Sequence, residues 1–568
     1  MSCWQNKNVI KSYSALLPAE YIEGWKLERI ILTTFSLHMN QLNALLYDLN
    51  AFPLVAKNKV HVFYDAVDRS GKDTKTPIIS EKYIHGLRIV DNKNLYAFHP
   101  KILLLRYEKD EKFRYVLIVT SKNISEATRL DVYGVSYGEV AEGEEQDNNG
   151  KNLSDFLKSI SQASNPQCES ELKDIVEEVK RVSFRMNFDE GDVRFYTANE
   201  VWTEVQDKSD LIIVSPFLSD ALVNALNKKV RMIISTEQGF VSLEEKTIEG
   251  LINQKKCVYW SANEQNLHAK IYCWKEENKT HYIIGSSNAT NNGCNTAGRI
   301  PSNMEFNIGF VRGPEEYNAF LEDICSFCED FEFFNYEIWK DKNKNDFDPR
   351  SEFDRFCRTI QITCEVVDGT YNVKVIKENT DSIADVRFEV KVPTEEEFKA
   401  LDMNQRGVLA EWSLKAPVAM LMVKVINTQA FVDDERVPGV SVFCYSLYNQ
   451  WEQKEKEILD RNAQGAYIKL QEQYQKQLLR GGAKPSVFLA DSVIRKESNG
   501  QRKRTQDKTY AYEEILSLAQ KYEGEAFVQK ILELEQFADN ILLIRKDDDK
   551  QNKLKELIIK IRDGIKDE

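Results

Sequence analysis

Residues 267–290 read LHAKIYCWKEENKTHYIIGSSNAT. Two apolar runs, 267–274 and 281–285, flank a charged turn, which is a strand–turn–strand pattern. His268 and Lys270 stand two apart at the head of the first run. A strand alternates faces with period two, so the imidazole and the ammonium are expected on one face. The second run ends in Gly285-Ser286-Ser287-Asn288, which would deliver a serine and an asparagine beside them. Residues 98–123, FHPKILLLRYEKDEKFRYVLIVTSKN, repeat the arrangement with His99, Lys101, Ser121 and Asn123. The chain has only 6 histidines, so two matched sets argue for duplication rather than coincidence.

The surroundings of the two stretches repeat as well. Residues 30–36 read as a buried strand, followed by a helical pattern through Leu42, Leu45, Leu46 and Leu49. Strands are expected at 59–65, 95–105 and 113–120. In the second part, a strand at 210–217 precedes a helix through Leu222, Val223 and Leu226, then strands at 230–236, 267–274 and 281–285. Phe35 with Phe217, His99 with His268, and Asn123 with Asn288 mark corresponding points. The fold class is therefore α/β, with two repeated halves at 1–150 and 151–340, each a mixed sheet flanked by helices. The acidic stretch 139–150 between them reads as a solvated loop, and a helical stretch at 314–339 closes the second half.

The polar run 341–350 ends in proline and marks a boundary. Beyond it, 355–568 reads as an α+β accessory domain. Asp368-Gly369 within 362–376 signals a hairpin, and strands follow at 385–392, 418–426 and 440–447. Helices are expected at about 448–479, 510–544 and 550–565, the last with Leu554, Leu557, Ile558, Ile561 and Ile565 on one packed face.

Composition restricts the function. At 568 residues the chain is too long for one core. No apolar run reaches about 18 residues, so no transmembrane helix is expected, and the N-terminus lacks an export signal. The 10 scattered cysteines suit a reducing, cytoplasmic setting. A net charge of −14 gives no general attraction to polyanions, so any polyanion site must be local.

The paired residues suit phosphodiester chemistry. A phosphodiester is an anion with a poor leaving group, needing charge neutralisation, an acid and a nucleophile. Lysine supplies a point charge with three donors, and imidazole titrates near neutrality. Two histidines on opposite sides of phosphorus can act in line and exchange protonation states.

The repeated His-x-Lys with a downstream Asn resembles the phospholipase D superfamily. The first copy, with VLIVTSKNIS after it, is nearest in style to tyrosyl-DNA phosphodiesterases and bacterial phospholipase D-like nucleases. The likeness spans about residues 25–335. It implies one site between two α/β halves, a phosphohistidine intermediate, and no metal or other cofactor. By resemblance His99 is the nucleophile and His268 the general acid, then base. Lys101, Lys270, Asn123 and Asn288 would hold the phosphoryl oxygens, with Ser121 and Ser286 assisting the substrate. Glu305 in NMEFNIGFV, and Asp131 in RLDVYGVSY, would orient the imidazoles, with Glu139 a weaker option. The lipase-type aspartate five residues after each lysine is replaced by Arg106 and Lys275, which disfavours a phospholipid substrate.

The expected function is a metal-independent phosphodiesterase or nuclease acting on nucleic acid, DNA ahead of RNA, in bacterial DNA repair, restriction or antiviral defence. The rival readings are a non-catalytic nucleic-acid-binding or assembly subunit and a phospholipid phosphodiesterase. A partner protein is expected to dock on the C-terminal domain, homo-oligomerisation is open, and no membrane contact is expected. Cys325-x-x-Cys328, with Cys357 and Cys364 downstream, has zinc-type spacing but reads as buried thiols in apolar elements. The basic loop 495–508 reads as solvated, with nucleic-acid contact as the alternative.

Overall fold

The apolar runs of the first part are apolar because they are buried on both faces, and they assemble into one six-stranded sheet. The computed structural model describes residues 13–459 and also 555, 556 and 559. It excludes 71–82, 142–148, 187–192, 261–265, 297–301, 330–348, 379–385, 428–439 and shorter breaks. The first sheet runs Tyr133–Glu139, Lys112–Thr120, Ile102–Lys109, Lys26–Thr34, Val60–Asp65, Ile84–Leu87. The last three strands are mutually parallel and the rest antiparallel.

The second sheet repeats that order: Asn307–Arg312, Lys279–Gly285, Ile271–Glu276, Leu211–Val214, Val230–Ser235, Cys257–Trp260. It adds Arg194–Tyr196 at one edge and Cys328–Glu329 at the other, making eight strands. The parallel and antiparallel pairings match strand for strand.

A hydrogen-bonded turn after the first strand of each half sets the correspondence. Thr34 Oγ1 donates to Ser36 O and accepts from Ile124 N, at 2.8 and 3.0 Å. Ser215 Oγ donates to Phe217 O and accepts from Ala289 N, at 2.7 and 2.9 Å. Thr34 thus matches Ser215, so Phe35 matches Pro216. The Phe35–Phe217 landmark is off by one residue.

Strand alternation sorts side chains into layers. Ile30, Leu32, Leu103 and Leu105 face an outer layer with the helix Met39–Asp48. Ile31, Leu104, Tyr115 and Leu117 face a core shared with Ile212, Val214, Tyr282 and Ile284 of the second sheet. Helices Lys151–Ser164 and Pro166–Val179 contribute Leu153, Phe156, Leu157, Leu172 and Ile175 to the same core. A third cluster covers the far face of the second sheet beneath Asp220–Leu226 and Glu245–Asn253.

The helical reading over 314–339 holds for Glu316–Cys325. Cys328–Glu329 instead joins the second sheet as an edge strand, where Tyr259 and Trp260 offer it partners. Cys328 Sγ lies 3.4 Å from Ile324 O.

Downstream, Ile360–Val367 and Thr370–Lys377 form the expected hairpin. Asp368 and Gly369 take φ of 49° and 75°, the positive angles of a type I′ turn. Gly407–Leu414 completes that sheet, and Val386–Lys391, Met420–Asn427 and Val440–Ser446 form another with Lys399–Ala400. The two sheets share a core of their own with helix Pro349–Thr359. Residues 453–459 are helical. The expected helices at 510–544 and 550–565, and the loop 495–508, lie outside the described residues apart from 555, 556 and 559.

Because one core serves both repeated halves, it is expected to fail as a unit. Leu117→Ala should cost about 2–5 kcal/mol in urea denaturation. Limited proteolysis at matched denaturant should then open sites in both halves together, whereas cleavage confined to the first half would show separable cores.

Candidate active site

His99 and His268 do not lie inside laddered strands, as the period-two reading had them. Each sits in the extended segment just before one, ahead of Ile102–Lys109 and Ile271–Glu276. Each pair meets through a backbone bond instead of a shared strand face. Lys101 Nζ donates to His99 O at 2.7 Å, and Lys270 Nζ to His268 O at 2.6 Å. The bonds tie each ammonium to the residue two before it.

What the segments pair with is the other half. Phe98 bridges Met304 in parallel, and His99 N donates to Met304 O at 2.9 Å. Reciprocally, Arg129–Leu130 pairs in parallel with Asn266–Leu267, and His268 N donates to Leu130 O at 3.0 Å. Each histidine segment is therefore stitched to the acidic segment of the opposite half, about a pseudo-twofold axis.

The crossing assigns the carboxylates. His99 Nδ1 lies 2.9 Å from Glu305 Oε2 and 3.0 Å from the Ser286 carbonyl. His268 Nδ1 lies 2.7 Å from Asp131 Oδ1. A carbonyl only accepts, so His99 Nδ1 carries the proton and Nε2 keeps its lone pair. Met304 and Leu130 occupy equivalent bridging positions, so Glu305 and Asp131, which follow them, are equivalent too. Glu139 ends the strand Tyr133–Glu139 and binds Arg114 away from the imidazoles.

The serines hold the carboxylates in place. Ser121 Oγ donates to Asp131 Oδ1 at 2.7 Å and accepts from Val132 N at 3.0 Å. Ser286 Oγ accepts from Phe306 N at 2.9 Å and donates to Phe306 O at 3.3 Å, and its side chain also acts to lower Glu305. Both are fully buried. Asn123 Oδ1 accepts from Ser36 N at 3.5 Å. The Asn288 amide oxygen is buried without a hydrogen-bond partner among the described residues. Such an orphan suits an external ligand, since the amide can turn to present oxygen or nitrogen.

Electrostatics binds the cluster into one site. Lys101 and Lys270 are each 1% exposed, unusual for lysine. Burial, and then the two ammonium groups, push His99 well below its ordinary value. Burial and Lys270 push His268 down to about 3, against the opposing pull of Asp131. Burial raises Glu305 to about 8. Asp131 goes the other way: its bonds from His268 and Ser121 outweigh burial and hold it below the usual carboxylate range. The two carboxylates are thus shifted in opposite directions.

Several site residues escaped the sequence reading. Asn307 Oδ1 accepts from Ser286 N and Ser287 N, both at 3.0 Å, and fixes the loop that carries Asn288. Asn303 Oδ1 accepts from Ala97 N at 2.8 Å, bracing the His99 segment. A polar residue at each end of NMEFN was the available signal. Arg350, read as part of a polar boundary, pairs with buried Asp65 and lies 4.9 Å over the Phe35 ring. That ring packs against His99 at 5.2 Å, edge on. Nothing local in the sequence signalled it.

Residues 204–303 match the family model described as the NgoFVII restriction endonuclease N-terminal PLD domain. The match contains His268, Lys270, Ser286 and Asn288 and ends just before Glu305. No curated protein matches the chain.

The raised Glu305 makes a signed prediction. A carboxyl whose folded value is above its unfolded value contributes stability that is lost as pH rises from 4.5 through about 8. Glu305→Gln cannot titrate, so its stability relative to wild type should climb across that window in paired thermal melts. A difference that stays flat would mean that Glu305 is ionised throughout.

Proposed function

Because the chain belongs to the phospholipase D superfamily, we propose that it is a metal-independent phosphodiesterase of nuclease type, cleaving nucleic acid through a phosphohistidine intermediate. The observation that carries the proposal is the convergence of two His–Lys units, crossed onto two carboxylates, at the seam between repeated halves. The matched family, a restriction endonuclease domain, favours DNA as the substrate and restriction or phage defence as the setting.

In this reading the phosphodiester lies between His99 and His268, its non-bridging oxygens held by Lys101, Lys270, Asn123 and Asn288. His99 Nε2 attacks phosphorus while His268 Nε2 gives a proton to the leaving oxygen. His268 then takes a proton from water, which attacks the phosphohistidine and releases His99. Glu305 and Asp131 orient the rings through Nδ1, and Ser121 and Ser286 act by positioning those carboxylates.

The asymmetry of the carboxylates supports this division of labour. An ionised partner stabilises an imidazolium, so Asp131 suits an acid at His268. A carboxyl held near neutrality leaves His99 an uncharged nucleophile. Burial, and then the lysines, depress both imidazoles. A bound phosphodiester offsets those charges and raises the ring that must donate.

The test is cleavage of labelled single- and double-stranded DNA with EDTA present. Wild type should cleave, and His99→Ala and His268→Ala should each lose at least ~10²-fold. A substrate with a nitrophenolate leaving group needs no acid for the first step, so His268→Ala should then accumulate the covalent adduct and His99→Ala should not. DNA binding without cleavage by wild type would favour a non-catalytic subunit. Cleavage intact in both variants would remove these histidines from the site.

A further inference from the structure

A second group of donors lies on the edge of the first sheet and has no part in the chemistry above. His61 is in the strand Val60–Asp65, and His85 in its parallel neighbour Ile84–Leu87. Both point to the face that carries Phe63 and Leu87 into the shared core. Helix Pro166–Val179 crosses that face and brings in Cys168, which is fully buried.

Three donor atoms, one from each residue, lie within 4.8 Å of one another. His61 Nδ1 is 3.4 Å from His85 Nε2 and 3.9 Å from Cys168 Sγ. A tetrahedral ion with bonds of about 2.0–2.1 Å to nitrogen and about 2.3 Å to sulfur sets its ligands about 3.3–3.6 Å apart. The first separation fits; the second, and the His85–Cys168 separation of at most 4.8 Å, close by movement of the thiol. As a direct hydrogen bond the 3.4 Å contact between the two imidazoles is long, a weak way to satisfy buried rings.

The surroundings follow the pattern of a metal-bound histidine. Glu171 lies one helical turn after Cys168, and its Oε2 is 3.7 Å from His61 Nε2, the ring nitrogen facing away from the cluster. That nitrogen has no hydrogen bond among the described residues. A carboxylate behind a ligating imidazole fixes the ring and raises its basicity. A small cavity lined by Asn58, Tyr83, Gln167 and Glu171 opens beside His61.

We propose that His61, His85 and Cys168 bind one borderline divalent ion of the zinc class, with water as the fourth ligand and Glu171 orienting His61. The ion pins helix Pro166–Val179 to the edge of the first sheet and plays no part in phosphoryl transfer. This departs from the expectation that the chain holds no metal, and it identifies a different place from the Cys325–Cys328 spacing. It does not rest on the proposed nuclease activity.

The experiment uses full-length, tag-free protein purified without chelator. Elemental analysis should find about one zinc per chain in wild type and at least ~10-fold less in Cys168→Ser and in His85→Gln. His281→Gln, on the other sheet, should retain the metal. Cobalt exchanged into wild type should show a thiolate-to-cobalt absorption that Cys168→Ser lacks. X-ray absorption of the wild-type zinc should resolve one sulfur and imidazole nitrogens, a readout that stands if a variant fails to fold. Wild type with under a tenth of an equivalent, and no gain of zinc or cobalt on addition, would overturn the proposal. So would bound zinc with no sulfur ligand. DNA cleavage is not the readout, so failure of the nuclease reading leaves this result intact.

Discussion

The site exists because the two halves exchange backbone partners. Each histidine segment stops short of its own strand ladder and bonds instead to the acidic segment of the opposite half. Neither half alone contains an imidazole with its carboxylate. The shared core serves the same end, since Phe306, directly after Glu305, packs on Phe156 and Phe195 within it. A small rotation of one half would break the stitches on both sides of the axis together, so the packing and the chemistry are one constraint.

Within that frame two buried lysines and two oppositely shifted carboxylates share one seam. Burial raises Glu305 to about 8, while bonds from His268 and Ser121 hold Asp131 below the usual carboxylate range. Each lysine bonds the carbonyl of its own histidine, which offsets part of the cost of burying a cation. Against a net charge of −14, this concentration of lysine is local to the seam.

Much of this was legible in the sequence, and the limits have physical causes. The duplicated strand order was visible because strands buried on both faces are continuous apolar runs, and the His, Lys, Ser and Asn pairs stood at their ends. Asp131 could be aligned with Glu305 only loosely, since the fixed relation between them is a parallel bridge across the interface. The period-two reading put His99 and Lys101 inside a strand; the segment is unladdered, and the lysine bonds the His99 carbonyl. The crossing of carboxylates between halves leaves no trace in local spacing. Neither does the approach of Cys168 to His61, 107 residues away in the chain. Helices Lys151–Ser164 and Pro166–Val179 were passed over because they lack the repeat that made the strands conspicuous.

Among the described residues, Arg350 links the accessory sheets to the site. Helix Pro349–Thr359 packs in their core through Phe353 and Phe356, while Arg350 in its first turn points back to the first half. Its guanidinium pairs with Asp65, whose Oδ2 also accepts from Phe98 N at 2.8 Å, one residue before His99. The same guanidinium rests on Phe35, and Phe35 on the His99 ring. Its charge is among those that depress His99. No equivalent cation acts on His268 from outside the repeated halves among its principal influences. Burial of Glu305 and the intrusion of Arg350 thus give the two repeated histidines different surroundings. The environment of His99 is shaped in part by the placement of a helix that belongs to neither repeat.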